Sequence, residues 1–160
     1  MIPYSRLIAE ASHRYQLDPR LVAAVIFGES GGRKNAMRYE GLFFREHLDG
    51  KSREDLLGHV PSERLTTLVT ELRLRATSFG LMQLLGETMR ERGFASDDLG
   101  DLLEPEVNIM LGCSFLHDLY VKRGNTERAM LLGFNGGGNK QYPDYIFKIR
   151  DSGRCDFLLN

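Results

Sequence analysis

The chain has 160 residues, of which 42% are hydrophobic and 27% charged, the proportions of a single globular domain spanning residues 1–160 with one sizeable core. A formal net charge of -1 excludes the basic footprint of a nucleic-acid binder. No run approaches the roughly 18 apolar residues of a membrane span, and Met1-Ile2-Pro3-Tyr4-Ser5-Arg6 lacks a basic segment followed by an apolar run, so neither an export signal nor membrane insertion is expected.

Pro3 opens a pattern in which Tyr4, Leu7, Ile8, Ala11 and Tyr15 recur at helical spacing. After a break at Gln16-Leu17-Asp18, a second helix carries the apolar run Leu21-Val22-Ala23-Ala24-Val25-Ile26, and the two are expected to form an antiparallel or crossing pair. Asp18 suits its N-cap, Pro19 its first turn, and Gly31-Gly32 the left-handed geometry that ends it. Glu29 falls in the last turn, three, four and seven residues after Ile26, Val25 and Val22, and therefore on the face that meets the core. Desolvation and the negative end of the helix dipole both disfavour its charged form, which is the requirement for a general acid near neutral pH. The competing reading is a solvated glutamate at a fraying helix end.

From Arg33 to Val60 the pattern dissolves, with Gly41-Leu42-Phe43-Phe44, Asp49-Gly50 and Gly58 marking short extended pieces, a small irregular hairpin between Arg38 and Gly50, and a brief helix near Ser52 to Leu57. Pro61 and Ser62 introduce Leu65, Leu68, Val69 and Leu72 at i, i+3, i+4 and i+7, an amphipathic helical stripe. The run from Ala76 to Leu85 is too irregular for a surface helix and is expected to begin as a buried loop, followed by a helix through Thr88 and Arg92 closed by Gly93. Pro105 starts a helix whose Val107, Ile109, Met110, Leu111, Phe115, Leu116 and Leu119 occupy nearly every side, the mark of a central element. Asn125 is the expected cap of the next helix, which runs to Phe134 and stops at Gly136-Gly137-Gly138, and Pro143 starts a last short one. The predicted architecture is mainly α.

Cys113 and Cys155 are isolated thiols, expected buried and reduced. His13, His47, His59 and His117 are dispersed, suggest neither a metal site nor a catalytic triad, and are expected on surfaces or helices.

Three segments in order, Glu29-Ser30-Gly31-Gly32, then Ser78-Phe79-Gly80-Leu81-Met82-Gln83, then Phe134-Asn135-Gly136-Gly137 with Tyr142-Pro143 after it, resemble the signature blocks of the soluble lytic transglycosylase family of lysozyme-like enzymes. Asn108-Ile109 and Gly112 are similar to that family's pattern as well, so the resemblance covers nearly the whole chain, residues 5 to 147. It implies a lysozyme-like fold, cleavage of peptidoglycan glycan strands between N-acetylmuramic acid and N-acetylglucosamine, and a single catalytic glutamate with no metal or organic cofactor. Glu29 takes that role by position. The implied product is a 1,6-anhydro end, formed when the muramic acid 6-hydroxyl attacks its own anomeric carbon. By the same resemblance Ser78, Met82, Gln83, Asn135 and Tyr142 are substrate-binding residues. Gln83 offers an amide donor and acceptor, Met82 a polarizable wall and Ser78 a hydroxyl in a tight loop. Against these stand plain core packing for Met82, a helix or turn cap for Ser78, and a C-terminal cap for Asn135.

Two departures stand out. The family has Tyr where this chain has Phe134, so the hydrogen bond to the acid is either lost or supplied by Tyr142 or Tyr39. The stretch between Glu29 and Gly80 is long, which makes residues 33–77 an elaborated insertion. That insertion supplies Glu40 as the candidate second carboxylate, with Asp49 next; a carboxylate across the cleft would activate water and turn the enzyme into a hydrolysing muramidase. The simpler reading pairs Glu40 with Arg38 or Arg73. A non-catalytic glycan-binding module is the rival from another class. A monomer acting on glycan strands is expected, and a wall-directed enzyme without a leader points to delivery by a phage or mobile element.

Overall fold

Asp18 fixes where the apolar helix begins. Its carboxylate accepts from the backbone N–H of Arg20 at 2.9 Å, Pro19 takes the first turn, and the helix ends at Gly31 with φ 63°. The structure is a computed structural model that describes residues 4–160, so Pro3, expected to open the first helix, lies outside the described residues. Helix α1 runs over Tyr4–Tyr15 and α2 over Pro19–Ser30. Leu21 to Ile26 are buried without exception, each large side chain contributing about 1.5–3 kcal/mol of transfer free energy. They are covered by α8 (Tyr142–Asp151) and α1, while α6 (Pro105–Lys122) packs on α1 and on α7 (Glu127–Phe134). Ile109, Cys113 and Leu116 of α6 reach the same core. Thr126, not Asn125, caps α7: its hydroxyl accepts from the Ala129 N–H at 3.2 Å, whereas Asn125 sits one residue earlier at φ 60° in the turn.

A three-stranded antiparallel sheet, ordered β1-β2-β3, flanks the helices. Strand β1 is Met37–Tyr39, β2 Thr77–Phe79 and β3 Leu84–Leu85. The buried run 76–85 is thus a strand, a turn and a strand. The hairpin expected between Arg38 and Gly50 does not form, because β1 pairs with β2, Arg38 opposite Ser78. After β1 the chain turns helical as α3 (Gly41–Phe43), continued by a wide π turn over Phe44–Leu48. Burial explains the difference: helical spacing lets Phe43, Phe44 and Leu48 pack with Leu56, Leu72 and Ala76 in a second, smaller apolar cluster. Ser52 and Asp55 cap the short turn Arg53–Asp55 in the region where a brief helix was expected.

Helix α4 (Leu68–Arg75) begins only at the Thr67 cap, and the expected stripe is broken, with Leu65 and Val69 exposed. Its buried face is Glu71, Leu72 and Arg75, so ionic pairing rather than apolar periodicity sets its orientation. Arg75 donates to Glu71 Oε1 at 2.9 Å, to Glu87 Oε2 at 2.8 Å and to the carbonyls of Leu57 and His59. Arg90, on α5 (Gly86–Glu91), donates to both oxygens of Glu71 and to the carbonyls of Phe94 and Ser96. Both arginines and Glu71 are fully buried, a state that is tolerable because nearly every donor has an acceptor. The network ties the second cluster to the main body. Cys113 and Cys155 are buried and unpaired, and burial pushes the Cys113 thiol up to about 12. No helix among the described residues is long and apolar enough to cross a membrane.

Candidate active site

The end of α2 is tied to the sheet by Ser30, the residue after the acid. Its hydroxyl lies 2.8 Å from the Leu81 carbonyl and 3.1 Å from that of Ile26, and accepts from the Gly32 N–H. The β2–β3 turn is fixed from its other side by Asn108 of α6, buried completely. The Asn108 amide donates to the carbonyls of Phe79 and Leu102 and accepts from the Met82 N–H at 2.8 Å. A Cβ at Gly80, whose φ is +73°, would fall 2.5 Å from Asn108 Nδ2, so only glycine fits. At Gly112 a Cβ would meet Met82 Sδ at 2.3 Å. Met82 therefore occupies a socket that a glycine opens in α6. It is fully buried and does not line the cleft, so its expected role as a substrate wall is replaced by core packing.

Glu29 faces a cleft of about 530 Å³. One wall is built by β1, α3 and the sheet, with Arg38, Glu40, Leu42, Phe43, Ser78 and Gln83; the other by Phe115, Phe134, Asn135 and Gly136. Behind the acid lies Tyr142, at the start of α8 and only 4% exposed, whose hydroxyl donates to Glu29 Oε1 at 2.5 Å. Tyr142 therefore does not line the cleft as a substrate contact. It provides the hydroxyl that Phe134 lacks, while Tyr39 accepts a bond from Arg73 Nη1 and takes no part at the acid.

Burial raises the Glu29 carboxyl above the usual carboxylate range, opposed by the Tyr142 hydrogen bond and the Arg38 charge and assisted by the Glu40 charge. The Tyr142 hydroxyl is itself pushed far up by burial and by Glu29, so it stays a donor. Glu40 is anchored through its backbone N–H to Ala76 O at 2.8 Å. Its Oε1 accepts from Arg38 Nε at 2.7 Å and from Ser78 Oγ at 3.1 Å. Of the two arginines considered for Glu40, Arg38 is the partner. Ser78 lines the cleft with its hydroxyl committed to Glu40. Asp49 is exposed at the end of the π turn and lies outside the cleft.

Gln83 adopts φ 48°, and its Nε2 donates to the carbonyls of Ala36 and Gly80, which leaves Oε1 as the group it can offer a ligand. Asn135 is the C-cap of α7, the alternative weighed for it, and is exposed in the cleft lining. Sequence reasoning missed Phe43, His47 and Phe115 as wall residues. His47 had been expected as a surface or helix residue; it stacks on Phe43 at 4.7 Å between ring centroids and joins the cleft rim. The period of the π turn, unreadable from a 3.6-residue pattern, brings His47 there, while Phe43 comes from α3 and Phe115 from α6.

No curated protein and no solved structure matches the chain. The Transglycosylase SLT domain family matches residues 6–143, a span that takes in the acid, its tyrosine, the sheet and both cleft walls. With nearly the whole chain inside that match and an acid-bearing cleft at its centre, this protein belongs to the transglycosylase SLT domain family.

Proposed function

We propose that the protein cleaves the β-1,4 bond between N-acetylmuramic acid and N-acetylglucosamine and leaves 1,6-anhydro ends, with Glu29 as the only acid and base. Family membership supports the coarser part, transglycosylase action on peptidoglycan of the cell wall. The observation that carries the finer part is the Glu29 carboxyl in the cleft, its pKa raised by burial and its Oε1 held by the Tyr142 hydroxyl. Because Oε1 accepts from Tyr142, the transferable proton belongs on Oε2. That proton goes to the glycosidic oxygen as the bond to the anomeric carbon breaks. The carboxylate left behind, steadied by Tyr142, takes the proton of the muramic acid 6-hydroxyl as that oxygen closes on the anomeric carbon. Glu29 ends protonated, ready for another cycle.

The acid lies between a helical body and residues 33–77, which we read as an insertion within one catalytic domain. Its own apolar cluster and the buried ion network support that reading. The insertion provides much of one cleft wall, so it acts on substrate placement rather than on the acid alone.

A second reading of the same cleft is hydrolysis, favoured by the presence of Glu40 on the wall and by its charge being felt at Glu29. Against it, the Glu40 charge is compensated by Arg38 and its Oε1 already accepts two hydrogen bonds. Digestion of glycan strands in water enriched in oxygen-18 separates the two. Transglycosylation leaves new ends unlabelled and one water lighter, whereas hydrolysis places the label on a reducing end.

A further inference from the structure

Arg38 is the only arginine or lysine among the described residues lining the cleft, which otherwise carries the carboxyl groups of Glu29, Glu40 and Glu46. Its placement comes from the strand. In β1 the side chains alternate, and Arg38 sits opposite Ser78 in the sheet, both at the cleft. The guanidinium is steadied at one corner: Nε donates to Glu40 Oε1 at 2.7 Å, and Glu40 is itself held by Ser78 and by its backbone bond to Ala76. The two Nη groups make no hydrogen bond with any described residue, and the side chain is 69% exposed. A guanidinium carries five N–H donors, and its Nη edge matches the two oxygens of a carboxylate. The lining thus offers an anionic group one guanidinium, tethered at one position, among three carboxyl groups.

A glycan strand of alternating sugars offers two kinds of β-1,4 bond to the acid, and because both sugars carry a 6-hydroxyl, only the 3-O-lactyl group of muramic acid tells the two registers apart. We propose that Arg38 sets this register by binding the carboxylate of the muramic acid 3-O-lactyl group, which makes strands free of peptide stems the preferred substrate. The inference rests on the peptidoglycan reading above. In a stem-bearing strand that carboxyl is an amide, which keeps an acceptor but loses the charge. The reaction class that supplies the preferred substrate is accordingly hydrolysis of the amide between the lactyl group and the stem.

The test compares three substrates: stem-free strands prepared by enzymatic amide hydrolysis of sacculi, the same strands with their lactyl carboxyls converted to methylamides, and stem-bearing strands. Each is digested by the native protein, Arg38→Gln and Arg38→Lys, with kcat/KM and its pH profile measured. The native protein should favour stem-free over methylamide strands on the order of ten- to a hundredfold, the worth of charge-assisted bonds. Arg38→Gln should bring that ratio close to one, whatever it does to the absolute rates through the charge felt at Glu29, and Arg38→Lys should restore part of it. Equal cleavage of free and methylamide strands by the native protein would overturn the proposal. So would an Arg38→Gln variant that keeps the native preference for free-carboxylate strands, its losses being equal on all three, since Arg38 would then act on Glu29 and not on the lactyl group. If the native protein releases no anhydro ends from any strand, the catalytic reading fails by itself. Binding of stem-free and methylamide fragments to Glu29→Gln, with and without Arg38→Gln, then decides the register claim: tighter binding of the free carboxylate only when Arg38 is present supports it, and equal binding overturns it.

Discussion

Tyr142 and Glu29, 113 positions apart in the chain, share a hydrogen bond in which the phenol donates to the carboxyl that faces the cleft. The bond joins the first residue of α8 to the last turn of α2, two helices that pack closely on each other. It lets Phe134, with no hydroxyl to offer, serve as a cleft wall stacked beside Phe115 at 5.5 Å between centroids.

Removing that donor with Tyr142→Phe destabilises the carboxylate form of Glu29, so its pKa rises further. The alkaline limb of kcat/KM should move to higher pH. The maximal rate should fall about ten- to a hundredfold, because in the proposed mechanism this carboxylate is the base and has lost a charge-assisted bond. A stopped assay across pH on glycan strands reads both quantities, and a limb that moves to lower pH would contradict the assignment.

Glu40→Gln should act in the opposite direction. The Glu40 charge raises the Glu29 pKa and Arg38 lowers it, so neutralising Glu40 leaves Arg38 uncompensated and drops the limb to lower pH. In a transglycosylase the maximal rate should stay within about tenfold of native, since general acid–base steps are typically worth 10²–10⁴ and Glu40 performs none. Loss of all turnover would instead favour the two-carboxylate hydrolase.

Stability should report the same acid. Because the folded-state pKa of Glu29 is raised above its unfolded value, the unfolded chain releases this proton first. Stability is therefore lost as pH climbs from the unfolded pKa, about 4.3, through the folded one, and remains lower above it. Glu29→Gln should melt at a higher temperature than the native protein at neutral pH, with the gap closing in acid. Thermal unfolding at several pH values checks this, and a variant less stable at neutral pH than in acid, relative to native, would refute it.

The ion network has a separate signature. Glu71→Gln leaves Arg75 and Arg90 buried without their shared carboxylate, a change that costs about 3–5 kcal/mol. Denaturant unfolding should show that loss. Because the second apolar cluster leans on this network, the transition should also broaden or split as residues 33–77 loosen ahead of the main core.

Most of the helical frame was legible because single residues mark it: Asp18, Pro19 and Gly31 bound α2, Pro105 opens α6 and Pro143 stands in the first turn of α8. The partly buried position of Glu29 was legible from helical spacing against Val22, Val25 and Ile26, all fully buried. Three things were not. The pairing of β1 with β2 joins Arg38 to Ser78, 40 positions apart, and no local pattern encodes it. Leu65 lies before α4, and Val69 on it faces outward because the ionic face of the helix has its partners inside. Met82 and Tyr142 were placed on the substrate side of the site because sequence order gives proximity to the acid and not the side of it. The Gly112 socket and the packing of α8 on α2 decide that.

The central claim is that Glu29 alone moves the protons that make anhydro ends. Incubation of isolated peptidoglycan sacculi with the native protein and with Glu29→Gln, followed by mass spectrometry of the released fragments without added muramidase, tests it most directly. The native protein should release fragments ending in 1,6-anhydromuramic acid, one water lighter than reducing ends, and Glu29→Gln, folded and more stable at neutral pH, should release none. Anhydro ends formed by the variant at the native rate, or reducing ends alone from the native protein, would contradict it.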